Sequence, residues 1–182
     1  MQFTSVTLAL LAATGLMAQP LTERGATTST FVELQRKPAS DGNGTLIFLG
    51  PGDNGSSKRA AAISVEERAW CRNQVQPICD NHNTARNDIC DRLVSELFAD
   101  ETVVIGTNSQ QVCYEGDAAE TNAYCCVSWK NKVPNLIKGD LAPIAQGIMQ
   151  DCTEDGISGA SDNIFVHGTC TRVCLSNRGT DC

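Results

Sequence analysis

Apolar residues recur at helical spacing most clearly at Ile89, Cys90, Leu93, Val94 and Leu97. The spacing predicts a helix from about residue 84 to residue 98, ahead of Asp100 and Glu101. Upstream, Ser64-Val65-Glu66-Glu67 has the form of a capping box, with Ser at the N-cap and Glu at N3. It predicts a helix over residues 64–75, stopped ahead of Pro77. A third helix is expected from Asp140 as N-cap, with Pro143 in its first turn, where a missing N–H costs little. Ile144, Ile148, Met149 and Cys152 make its apolar face, and Gly156 its stop. Residues 102–105 are β-rich but short. Residues 111–114 and 124–129 read as strands around a polar loop at 115–122. Residues 163–167 and 169–175 read as a strand pair with Gly168 at the turn. This order predicts an α+β fold, three helices packed on a short antiparallel sheet.

The first sixty residues have a different texture. Residues 6–17 are largely apolar, within the ~7–15 of a signal-peptide core and short of the ~20 that span a bilayer. A signal peptide over residues 1–18, cleaved after Ala18, is expected, and no membrane span. Residues 19–59 hold no cysteine and carry Gly, Ser, Thr and Pro clusters, a composition that buries little apolar surface. Two short apolar pieces, Phe31-Val32 and Leu46-Ile47-Phe48-Leu49, are candidates to pair with each other or to cover the domain. Asn43-Gly44-Thr45 and Asn54-Gly55-Ser56 are glycosylation sequons. Lys58-Arg59 closes the segment with a dibasic pair of the kind that kexin-type proteases cut in exposed chain. The expected organisation is a flexible pro-segment at 19–59 and a mature domain at 60–182.

All ten cysteines lie in that domain: Cys71, Cys79, Cys90, Cys113, Cys125, Cys126, Cys152, Cys170, Cys174 and Cys182. An even number behind a secretory signal points to a disulfide framework. The spacing leaves the pairing open. Zinc is disfavoured, because Cys170 and Cys174 have no C-x-x-C or histidine pair to complete a site. No metal and no cofactor are expected. Net charge is −7 and aromatics are 5%, so an acidic chain with few stacking faces is not expected to hold nucleic acid.

Several segments carry a resemblance: Cys125-Cys126-Val127-Ser128-Trp129, the stretch from Val133 through Gly139 to Leu141, Gly156-Ile157-Ser158-Gly159, and the stretch from Gly168 to Arg178 with terminal Cys182. Together they resemble the fungal WD-like family of small secreted cysteine-rich proteins. The likeness covers residues 113–182, more loosely back to Cys71. It implies secretion and a disulfide-bonded domain, and supplies no activity. It does not imply a WD40 propeller, since no repeat of ~40 residues is visible.

Candidate chemistry is sparse. His82 and His167 are the two candidate acid–base groups, each in a predicted loop or turn. Glu115, Asp117 and Glu120 share one loop, and Asp151, Glu154 and Asp155 surround the end of the third helix, both read as solvated turns. Trp129, Lys130 and Lys132, with Lys138 nearby, form a basic–aromatic stretch that is a candidate contact for a carbohydrate or acidic partner. No nucleophile elbow, phosphate loop or zinc-protease motif occurs. The expected function is a secreted, non-enzymatic binding or effector module. Its partner outside the cell is a cell wall, a carbohydrate or a protein. The alternatives are a toxin held inactive by its pro-segment, and a small hydrolase using His82 or His167 with a carboxylate.

Overall fold

A computed structural model describes residues 31–52, 71, 76–117, 123–152 and 156–177. Its frame is one seven-stranded antiparallel sheet. The strands are β1 (Phe31–Pro38), β2 (Thr45–Pro51), β3 (Ile78–Cys79), β4 (Gln111–Glu115), β5 (Tyr124–Trp129), β6 (Gly159–Val166) and β7 (Thr169–Ser176). They lie in the order β1-β2-β4-β5-β7-β6-β3. Two helices, α1 (Asn87–Ala99) and α2 (Lys138–Asp151), are the only ones among the described residues.

The expectation of three helices on a short sheet is therefore overturned. The sheet dominates, because the chain before the cysteines contributes two of its strands. The helix expected at 64–75 lies, apart from Cys71, outside the described residues. β2 reads Leu46-Ile47-Phe48-Leu49, an apolar run without alternation, and such runs belong to strands covered on both faces. Leu46 and Phe48 enter the main core with the helices, while Ile47 packs on the opposite face with Cys113 and Cys126. Five register pairs, from Thr45↔Glu115 to Leu49↔Gln111, bind β2 to β4.

The helical reading of the apolar stripe holds for α1, where Ile89, Cys90, Leu93, Val94 and Leu97 are all buried. α2 starts earlier than expected. Ile137 is its N-cap, and Asp140 stands at N3, its carboxylate accepting from the Ile137 N–H at 3.0 Å. This is half of a capping box, worked from the third residue. Pro143 consequently falls in the second turn, where the absent N–H would have bonded the Gly139 carbonyl. Residues 102–105 contribute only a single bridge, Val104 to Ile137. The turn between β6 and β7 has His167 at φ 46° and Gly168 at φ 80°. Two successive positive φ angles make the turn whose twist matches the flanking strands.

Strand alternation also explains how adjacent cysteines find different partners. Neighbouring residues of β5 point to opposite faces. Cys125 bonds Cys90 of α1, and Cys126 bonds Cys113, its register partner on β4. Cys79 of β3 bonds Cys152 at the C-terminal end of α2, and Cys71 bonds Cys170 of β7. Cys174 is disulfide-bonded as well, and Cys182 lies outside the described residues.

Candidate functional site

Among the described residues, a polar network lies where the β1–β2 turn meets α1 and β4. Ala39 and Gly44 close the turn, the Ala39 N–H donating to the Gly44 carbonyl at 2.9 Å, with Gly42 at φ +71°. Glu96 sits on the buried stripe of α1 and is 3% exposed. Its Oε1 accepts from the Ser40 N–H at 2.7 Å, from the Asp41 N–H at 3.2 Å and from the Ser40 hydroxyl. A buried carboxyl group needs hydrogen-bond partners of this kind, because leaving it unpaired away from water is costly. Fully buried Tyr114 of β4 donates its hydroxyl to Asp41 Oδ2 at 2.8 Å. Burial pushes the Tyr114 phenol above its ordinary value, against the pull of the nearby Arg92 guanidinium. A Cβ on Gly44 would stand 2.2 Å from the Tyr114 ring, so only glycine lets the turn lie on that ring.

At the side of the same hairpin, Arg36 forms a forked pair with Glu33 at 3.0 and 3.1 Å and reaches across β2 to Glu115 of β4. Arg36 holds the Glu33 carboxyl below the usual glutamate range. Glu115, read from sequence as part of a solvated loop, is thus a partner of the hairpin. Asp117 is exposed, and Glu120 lies outside the described residues.

The other sequence candidates do not converge. His82 Nδ1 lies 2.8 Å from Asp80 Oδ1, and the pair is exposed. The hydrogen bond to His82 holds the Asp80 carboxyl below its ordinary value. His167 Nε2 lies 2.8 Å from Asp140 Oδ2, the oxygen that also accepts from Ile137. Asp140 is thereby committed to the start of α2. All nine described cysteines are bonded, so none offers a thiolate. Asp151 ends α2 and is exposed, while Glu154 and Asp155 lie outside the described residues.

Trp129 is 3% exposed and belongs to the core, so its ring does not face solvent; Lys130 is exposed and Lys132 half-buried. Lys138 is buried at the C-terminal end of α1, with Nζ 3.4 Å from the Glu96 carbonyl and 3.3 Å from Asp100 Oδ2. A cation there meets the negative end of the helix dipole. Asn43 is exposed in the β1–β2 turn, and Asn54, Lys58, Arg59 and Ala18 lie outside the described residues.

Glu96 and Tyr114 were missed by reasoning from sequence. The signal for Glu96 was present: it follows Leu93 by three residues, so a charge interrupts the apolar stripe. For Tyr114 no such signal exists, since a tyrosine in a strand is ordinary.

A family model, the fungal WD-like family, matches residues 57–182. The chain belongs to the fungal WD-like family. The matched region begins just ahead of Lys58-Arg59 and takes in β3 to β7, both helices and every cysteine. It leaves β1 and β2 outside. The contacts of Glu96, Tyr114 and Glu115 therefore join the WD-like region to a hairpin that precedes it. No curated protein and no solved structure matches the chain.

Proposed function

We propose that this WD-like protein works outside the cell as a disulfide-stapled binding module, secreted as a precursor. Residues 1–18 are its signal peptide, residues 19–59 a pro-segment bearing glycans on Asn43 and Asn54, and residues 60–182 the domain that begins at a cleavage after Arg59. The observation that carries this reading is the disulfide network. It ties helix to sheet and strand to strand, and uses all nine described cysteines. Such a network forms and persists in oxidising compartments. It also limits the local opening that proteases need. The partner surface includes the exposed Lys130 beside Lys132, and its ligand is an acidic or hydroxyl-rich polymer of a cell wall.

The test uses protein secreted from a yeast host and incubated with insoluble chitin, β-glucan and whole cell walls. Retention on one of these is expected, with loss of binding in the Lys130→Glu, Lys132→Glu double variant. No retention on any would overturn the binding reading.

A further inference from the structure

Cleavage after Arg59 cuts the covalent link between the hairpin and the domain, since residues 19–59 hold no cysteine. What then holds residues 31–52 is only what the fold supplies. β2 is an interior strand, flanked by β1 on one side and β4 on the other. Leu46, Ile47 and Phe48 are each 3% exposed or less, and they enter cores on both faces of the sheet. Glu96 and Tyr114 pin the turn at one end, and Arg36 bridges to Glu115. At the far end Gly50 packs so closely on the Asn108 backbone that a Cβ would stand 2.2 Å from its carbonyl oxygen.

Departure of the hairpin would leave β4 as a bare sheet edge. It would also leave Val112 and Tyr114 without the strand beside them, and the Glu96 carboxylate without the Ser40 and Asp41 donors. β1, by contrast, already suits an edge. It is exposed along nearly its whole length and carries Glu33, Arg36 and Lys37. Charged side chains on an edge strand discourage further pairing.

We infer that the hairpin of residues 31–52 stays docked on β4 and α1 after cleavage, so that the working molecule has two non-covalent chains, residues 19–59 and 60–182. This inference rests on the proposed cleavage after Arg59, yet the docking can be read separately. Glu96 is a positioning residue for the turn, and its loss releases the cut hairpin faster.

The secreted protein is first sequenced from its N-termini; two termini, at Gln19 and Ala60, mark a cut and retained hairpin. A single terminus at Gln19 would overturn the cleavage, and a single terminus at Ala60 would overturn the retention. Retention is then measured on purified full chain with a viral-protease recognition sequence inserted between Ser57 and Lys58, cut in native buffer and passed through gel filtration. The expected result is one peak holding both fragments in equal amounts, separating in guanidinium without reductant. In the Glu96→Ala background the peptide should leave on the order of tenfold faster. Separation in native buffer directly after cutting overturns the docking, and an unchanged release rate in Glu96→Ala overturns the role given to Glu96.

Discussion

Replacing Cys90 and Cys125 together by alanine should lower the unfolding free energy of the chain by about 4 kcal/mol. The bond spans a sequence separation of 35 and joins α1 to β5. Cross-linking that span removes conformational freedom from the unfolded chain, and the loss grows with the logarithm of loop length. Both cysteines are fully buried in the main core, so the alanines also leave a void where the sulfur atoms packed. The bond between Cys113 and Cys126 spans only 13 residues, and its removal should cost about 3 kcal/mol. Guanidinium unfolding of the full chain under non-reducing conditions reads both. A loss below about 1 kcal/mol for the Cys90, Cys125 pair would contradict its role as the helix-to-sheet staple.

Truncating Phe48 to alanine should cost about 3 to 5 kcal/mol. Phe48 is 3% exposed and lies in the core beneath the helices, although it belongs to a segment whose composition reads as a flexible pro-segment. Leu34, on the neighbouring β1, is 46% exposed, and Leu34→Ala should change stability by no more than about 0.5 kcal/mol. The contrast separates an interior strand with side chains in the core from an edge strand with side chains in solvent. Equal, small effects of the two substitutions in guanidinium unfolding would show that β2 adds nothing to the core.

The same contrast shows what could be read from sequence. α1 was legible because its five apolar positions repeat at helical spacing within one short window, and that pattern arises only from one buried face. β4 and β5 were legible from their strand-forming residues on either side of a polar loop, and the β6–β7 turn through Gly168, which follows a positive-φ histidine. β2 was hidden. Its partner β4 lies more than sixty residues further on, so no local pattern records the pairing. Its apolar run is bordered by glycines, which read as punctuation. Yet Gly44 is there because the Tyr114 ring admits no side chain, and Gly50 because the Asn108 backbone does not.

The site was less legible still. Lys138 looked like part of a surface stretch with Trp129, and the fold sends it to the end of α1 and the tryptophan to the core. Glu96 carried a weak signal only because a charge stood where the stripe called for an apolar residue. The cysteine pairing needed the sheet: ten cysteines allow very many connectivities, and strand alternation selects among them only once the register of β4 and β5 is known.

The disulfide framework underlies both the proposed function and the stability of the domain, and mapping it is the most direct test. The protein is digested without reduction. Partial reduction with stepwise alkylation separates the adjacent Cys125 and Cys126, and the linked peptides are identified by mass. The pairs Cys71–Cys170, Cys79–Cys152, Cys90–Cys125 and Cys113–Cys126 are expected. Cys174 is bonded too, and among the ten cysteines Cys182 is its expected partner. Exchange of the partners of Cys125 and Cys126, or a thiol that alkylates before reduction, would contradict the account.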